Sequence, residues 1–473
     1  MGRKRKGFKS IIFENREITG IAEESRSVCR TDDGIVCFVE GAVPGDVVDV
    51  LVTQKKKGFY FGAVHNLVEA SPDRIKAPCK HFGICGGCKW QHFHYAGQLR
   101  EKENKVLQAM LRIGKTEPQE FQPILGCGEE FFYRNKLEFT FSNKRWLEPE
   151  EMSSEGDILK EPGLGFHRAG AFDKVVDIEE CMLQPDPSNA IRNFVKAFAI
   201  RMNWTFFNVR QREGFLRNLM VKTSSIGEVM VLLSFHYKDD EAIGVLMEAI
   251  MTNFPEITTL VYVINEKAND TFLDLPIEIY HGPGYIVEKL GEVKYRLGPK
   301  SFFQTNTNQA VRLYDLALEF AGLQPTDHVY DLYTGLGSIA LYASSRCKSI
   351  VGVENVAPAI EDARANADWN GISNATFVVG NVEDVVDTGF ITKYGRPDVV
   401  ITDPPRAGMH ERVIDTLLQL ECPKIVFISC NPSTQARDVA MLSTKYNLEK
   451  LRAVDMFPQT NHIESVALLT LKK

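Results

Sequence analysis

Residues 10–70 alternate apolar and polar positions in short runs, "GIVCFVE", "DVVDVLV" and "YFGAVHNLVE". β-Branched and aromatic residues dominate these runs, and "TDDG", "AVPGD" and "KKKG" separate them. That is the pattern of successive strands with turns. It predicts a small OB-like β-barrel over residues 10–72, a fold that often carries oligonucleotides on one face.

Downstream, from about Tyr95 to Arg112, Leu99, Val106 and Met110 recur at helical spacing. Then "YRNKLEFTFS", "GLGFHRAG", "LRNLMVKTS", "EVMVLLSFH" and "TTLVYVIN" read as strands, with helices expected near 188–202 and 239–252. This predicts an α+β middle domain over 73–298. The polar stretch "EPEEMSSEGDILKEPG" reads as an exposed loop within it. From 299 to 473 strand and helix alternate, through "HVYDLYTGLGSIALYASS", "SIVGVENVAPAIEDARANADWNG", "DVVITDPPRAG" and "KIVFISCNPSTQARDVAML". Such a βα series predicts a doubly wound α/β domain with a mostly parallel sheet.

Composition narrows the class. At 473 residues the chain is long enough for about three domains. Charged residues at 25% and apolar residues at 44% are ordinary for a globular protein. No run approaches the roughly 20 apolar residues of a membrane span. "MGRKRKGFKS" lacks the apolar region of a secretory signal, and Lys6 stands where a myristoylation site wants Ser or Thr. The expectation is a cytoplasmic protein. Net charge is −7, but residues 1–80 hold 14 Lys and Arg against 11 Asp and Glu. The surplus sits in "RKRKGFK" and "KKKGFY", compatible with a solvated face or with a polyanion. Three of ten cysteines, Cys79, Cys85 and Cys88, crowd into ten residues, which points to metal or catalysis rather than to a disulfide framework.

The α/β domain carries the chemistry. "YDLYTGLGSIA" is a strand, a glycine loop and a helix, with Gly335 and Gly337 free to turn tightly near a ligand. The loop has no Walker lysine and formally fits the looser dinucleotide pattern. Asp331, just before it, sits awkwardly with a pyrophosphate and suits a cationic ligand better. Glu354 ends the next strand, placed to accept ribose hydroxyls. Asn381 ends the third, where it can bond an adenine edge. These features resemble class I S-adenosylmethionine-dependent methyltransferases, with a nicotinamide or other nucleotide site as the alternative.

Asp403 and Cys430 end the fourth and fifth strands, and Glu464 precedes a terminal strand. A methyl group bound for carbon 5 of a pyrimidine needs a protein nucleophile, because that carbon is a poor one. Thiolate addition at carbon 6 makes carbon 5 nucleophilic; a base then takes its proton and the thiolate leaves. Cys430 and Glu464 are of the types this chemistry needs. As an isolated residue, Cys430 reads first as a small core residue.

"FFQTN" (302–306), "DLYTGLG", "GVE", "DPPRAG", "SCNP" and "HIES" together, in order, resemble the RNA 5-methyluridine methyltransferase family, across essentially the whole chain. The resemblance implies Cys430 as nucleophile and Glu464 as base. It implies Gln304, Tyr333, Glu354, Asn381 and Asp403 as cofactor or active-site ligands, beside Gly335 and Ser338 of the loop; relatives often carry Asn at the position of Ser338. It makes the N-terminal barrel an RNA-binding TRAM domain. It also supplies Cys181, in "IEECMLQPDP", as a fourth ligand to Cys79, Cys85 and Cys88 for a [4Fe-4S] cluster, with Cys127 as the rival fourth ligand. Spacing alone leaves zinc open. Cys29, Cys37, Cys347 and Cys422 read as core residues. Phe302 or Phe303 is expected to sandwich the target base, and Arg134, Lys136 and Arg168 to meet RNA, with core packing or a solvated strand face as the plain alternatives.

The expected activity is methylation of carbon 5 of a uridine, first in 23S rRNA, since the TRAM domain and cluster together resemble the ribosomal RNA enzymes. The same chemistry on the T-loop uridine of tRNA is the alternative. A radical methylthiotransferase shares a TRAM domain and a cluster but is disfavoured by the cysteine spacing. An adenine-nitrogen methyltransferase leaves Cys430 and Glu464 idle, and a non-catalytic RNA binder has no use for the nucleophile. No membrane and no obligate protein partner are expected.

Overall fold

The computed structural model describes residues 11–22, 25–147, 151 and 161–473. The basic N-terminal run and most of the polar loop after Leu147 lie outside the described residues. The chain forms two compact units. One is Met1–Lys102 with Pro458–Asn461; the other is Glu103–Phe457 with His462–Lys473.

In the first unit β1 (Ile12–Glu17), β2 (Gly20–Ile21), β3 (Ser27–Arg30), β4 (Val36–Glu40), β5 (Val47–Lys56) and β6 (Phe59–Glu69) form one sheet, in the order β1-β5-β6-β4-β3-β2. The alternation in β5 buries Val48, Val50 and Val52 and then gives way to exposed lysines at the turn. Cys29 and Cys37 face each other across β3 and β4, both fully buried, in keeping with their reading as core residues. Buried Asp46 accepts from Val43 N–H (2.7 Å), Ser71 N–H (3.0 Å) and the Arg74 guanidinium (2.6 Å). Beyond the sheet, Lys89 and Trp90 N–H donate to Gln459 O at 2.9 and 3.1 Å. Gln459 N–H donates in turn to the buried Gln98 side-chain oxygen at 3.0 Å.

The second unit holds two large sheets. Strands β8 (Lys136–Ser142), β9 (Gly163–Arg168), β10 (Ala171–Asp177), β11 (Leu216–Thr223), β12 (Val229–Phe235), β13 (Ile257–Ile264) and β14 (Glu278–His281) order as β10-β9-β8-β11-β12-β13-β14. Helices Ser188–Arg201 and Asp240–Asn253 form near the expected 188–202 and 239–252. Asp239 caps the second, accepting from Ala242 N–H at 3.0 Å. Their apolar faces close one side of the sheet, with Phe139, Leu219, Val231 and Leu233. The other side keeps Lys136, Glu138, Asn218 and Lys222. A hairpin, β15 (Ile286–Leu290) and β16 (Val293–Leu297), follows.

The last sheet has eight strands, β7 (Glu120–Leu125), β17 (His328–Leu332), β18 (Ser349–Glu354), β19 (Ala375–Val379), β20 (Val399–Thr402), β21 (Lys424–Ser429), β22 (Tyr446–Val454) and β23 (Glu464–Leu471). Their order is β19-β18-β17-β20-β21-β23-β22-β7. Strands β17 to β21 run parallel, and β23 runs against both of its neighbours. The central strands are near-continuous apolar runs, as a sheet covered on both faces requires. Strand order reverses around β17, between β18 and β20, so the crevice opens there at the carboxyl ends of the strands. The amino end of β23 lies on that same edge. The doubly wound fold expected of residues 299–473 is present.

Candidate functional site

Cys430 directly follows β21. The chain turns there for local reasons: Pro432 has no N–H to continue the ladder, and Asn431 caps helix Pro432–Leu442, accepting from Ser433 N–H at 3.1 Å. Ser429 pairs with Ser465 across β21 and β23. One further step along both strands puts Cys430 opposite Glu464. Asn431 Nδ2 and Thr434 Oγ1 donate to Arg406 O at 3.0 and 3.3 Å, tying the "DPPRAG" loop to the same corner.

The electrostatics agree with this placement. Burial, then Glu464 and Asp403, push the Cys430 thiol up to about 11, against the pull of Arg406. Burial and Asp403 hold the Glu464 carboxyl well above the usual carboxylate range, and Arg406 again opposes. Burial pushes Asp403 up to about 7. Three acidic groups thus share one corner with one guanidinium.

The neighbouring strand ends form the glycine loop. Tyr333 and Thr334 N–H donate to Val353 O at 2.9 and 3.1 Å, with Tyr333 in the left-handed region (φ 65°). Glu354 accepts from Gly335 N–H at 3.2 Å and from Val356 N–H at 3.0 Å. Gly337 also has positive φ (83°), and a Cβ there would meet Phe377 at 3.0 Å, so glycine is required. Ser338 opens the following helix, its hydroxyl 3.3 Å from Tyr314 OH. Asn381 is exposed, its amide shared between Asn355 (3.1 Å) and Asp384 (3.0 Å). Asp331 lies fully buried beneath the loop, pushed up to about 7 by burial. Its Oδ2 accepts from Thr334 Oγ1 and Ala340 N–H, while Oδ1 is buried with no partner among the described residues. An edge carrying Asp331, Glu354 and Asp403 repels a pyrophosphate and suits a ligand bearing positive charge.

Residues 226–472 match the family model described as tRNA (Uracil-5-)-methyltransferase. The chain belongs to this family. It is an S-adenosylmethionine-dependent RNA (uracil-C5)-methyltransferase, with a TRAM domain matched over residues 17–64. A protein of Porphyromonas gingivalis described as an uncharacterized RNA methyltransferase is 50% identical over 460 residues, covering 96% of this chain and 99% of its own. One of Bacteroides thetaiotaomicron with the same description is 47% identical over 455 residues, covering 96% and 100%. Among solved structures, the Pyrococcus abyssi tRNA (uracil-54, C5)-methyltransferase in complex with S-adenosyl-L-homocysteine is 28% identical. It has a TM-score of 0.73 and covers 96% of this chain and 100% of its own.

The crevice of this methyltransferase fits its methyl donor: an orphaned buried Asp331 oxygen, a glycine-lined loop and an acidic rim. Gln304 is held from behind, its carbonyl accepting from Asn135 Nδ2 at 2.9 Å. The two phenylalanines beside it part company. Phe303 is 9% exposed and packs on Tyr295 (5.7 Å), so it is core, whereas Phe302 is 78% exposed. Arg134 lies over the ring of Phe457 at 5.2 Å, seven positions before Glu464. Arg168 lies over Trp146 at 4.0 Å on the middle sheet, and Lys136 pairs in register with Lys222.

The cluster expectation fares differently. Cys79, Cys85 and Cys88 belong to the first unit and Cys181 to the second. Among the described residues no group of three or more His, Cys, Asp or Glu is gathered to hold a metal ion. Gly87 N–H donates to Cys85 Sγ at 3.4 Å, and the rival Cys127 accepts instead from Asn306 Nδ2 at 3.4 Å. The iron–sulfur part of the expected middle domain is therefore not seen in the geometry. Arg406, inside "DPPRAG", faces Cys430 and Glu464 although the motif reading names only Asp403 there; Lys222 leaves no signal in the sequence.

Proposed function

We propose that the protein methylates carbon 5 of a specific uridine in 23S rRNA through a covalent adduct on Cys430, with Glu464 as the base. The observation that carries this reading is the register that sets Cys430 opposite Glu464 at the crevice edge. S-adenosylmethionine supplies the methyl group. Asp331, Glu354 and Asp403 line its crevice, with Gln304, Tyr333, Gly335, Ser338 and Asn381 as further ligands. The Cys430 thiol gives up its proton to water as its sulfur bonds to carbon 6 of the uracil, and the carbon 5–carbon 6 π pair moves into the ring as an enolate, making carbon 5 the nucleophile. After transfer, Glu464 takes the carbon-5 proton and the carbon–sulfur bond breaks. A thiol held near 11 in the free protein stays protonated until ligands arrive, which protects it from stray chemistry.

A second reading, the T-loop uridine of tRNA, is favoured by one observation. The tRNA enzyme of Pyrococcus abyssi covers 96% of this chain, so overall architecture does not separate the two substrates. A [4Fe-4S] cluster on Cys79, Cys85, Cys88 and Cys181 belongs to the proposal on the family resemblance alone, and no catalytic step depends on it. Protein purified without oxygen is to be given labelled S-adenosylmethionine and total RNA from cells lacking the enzyme. Labelled 5-methyluridine in large-subunit rRNA supports the first reading. Label in tRNA moves the substrate and keeps the mechanism; label in neither refutes the account of Cys430.

A further inference from the structure

Residues 298–306 carry Phe302 and Gln304 yet form neither helix nor strand. Their carbonyls need partners from elsewhere. Lys222, near the end of β11, supplies three: its Nζ lies 2.8 Å from Gly298 O, 3.2 Å from Pro299 O and 3.2 Å from Ser301 O. Lys222 is only 5% exposed. Asn135 continues the tether, bonding Gln304 O and Thr307 Oγ1 at 2.9 Å and Thr305 O at 2.8 Å. Ser301 Oγ closes the turn between Gly298 N–H (3.0 Å) and Asp362 (2.8 Å). Held in this way, the segment buries Phe303 and leaves Phe302 in solvent.

The arrangement suits one protonation state. An ammonium has three donors for three carbonyls; a neutral amine has two, and turns a lone pair toward the third. The charges facing Lys222 are Lys136 on β8, which opposes its charge, and Asp362 and Glu138, which favour it. Burial outweighs them and pushes its pKa down to about 7.

We infer that Lys222 is a positioning residue for RNA, whose ammonium holds the 298–301 turn so that Phe302 is presented to an unpaired base, and whose deprotonation loosens that hold. The inference rests on the reading of Phe302 as an RNA contact.

The test measures RNA affinity in full-length Cys430→Ala protein, so that chemistry does not report. The probe is the transcript that wild-type protein methylates, titrated from pH 6 to pH 8.5. Beyond any drift shared with Lys222→Arg, the parent is expected to lose about five- to tenfold in affinity as pH rises, the net worth of one hydrogen bond. Lys222→Arg keeps its charge and shows no such inflexion. Lys222→Met binds about tenfold more weakly at pH 6 and also lacks the inflexion. Phe302→Ala binds weakly throughout. Tight binding by Phe302→Ala sinks the reading of Phe302. Weak binding there, with Lys222→Met as tight as the parent or Lys222→Arg following the parent's pH curve, overturns the role of Lys222. Lys222→Arg keeps the comparison open if Lys222→Met fails to fold.

Discussion

The crevice edge and the cysteine loop are built on opposite plans. Asp331, Glu354, Asp403, Cys430 and Glu464 are spread over 134 positions of sequence, yet the parallel sheet delivers them to one edge, because each ends or begins a strand. Cys79, Cys85 and Cys88 fall within ten positions, yet no metal-holding group forms among the described residues. A strand ladder fixes where its ends point, whereas a loop has no ladder to fix its directions. A sheet needs no ligand to arrange its strand ends; a thiolate cage does.

The largest effect that sharpens this contrast comes from Cys430→Ala. Methyl transfer is expected to fall by on the order of 10⁴-fold or more, with cofactor affinity unchanged, in a labelled-methyl assay beside calorimetry. A merely structural Cys430 would leave turnover within a few fold. Next is Glu464→Gln, expected to slow turnover by about 10²–10⁴-fold and to accumulate a protein–RNA adduct resistant to denaturing gels. Absence of that adduct would remove Glu464 from proton abstraction.

A third test reads the thiol directly. Because burial, Glu464 and Asp403 raise its pKa to about 11, thiolate is scarce at neutral pH. Alkylation of Cys430 in the free protein is expected to quicken about tenfold per pH unit between 7 and 10, followed by mass spectrometry. Asp403→Asn removes one negative neighbour and therefore lowers the thiol pKa, speeding alkylation at pH 8. The smallest effect is asked of the cysteine loop. Cys85→Ser is expected to abolish any iron and acid-labile sulfide in protein purified without oxygen, while cofactor affinity stays as it was. Iron-free parent protein with full activity would dismiss the cluster.

Much of the catalytic domain's fold was legible because strand-terminal motifs such as "DPPRAG" and "SCNP" mark where an element ends. The helices at Ser188–Arg201 and Asp240–Asn253 were legible as the segments between strand-like runs. Other features were not. Phe302 and Phe303 are adjacent and alike, and only the packing of Tyr295 tells core from surface. Lys222 sits in "LMVKTS", where a charged residue at a strand's end reads as solvent-facing; three carbonyls some 76 to 79 positions away make it otherwise. Strand β7 joins β22 in parallel across more than 320 residues, a pairing that no local pattern encodes.

The exchange between Gln98 and Gln459 has a consequence for synthesis. Ribosomes release a chain from its amino end, so Gln98 emerges 361 positions before Gln459. In the first unit the buried Gln98 side-chain oxygen, together with the N–H groups of Lys89 and Trp90, takes its partner from Gln459. Those bonds cannot close until Gln459 has been made. The unit of Met1–Lys102 thus waits for Pro458–Asn461, and a fragment ending at Lys102 would lack the peg that completes it.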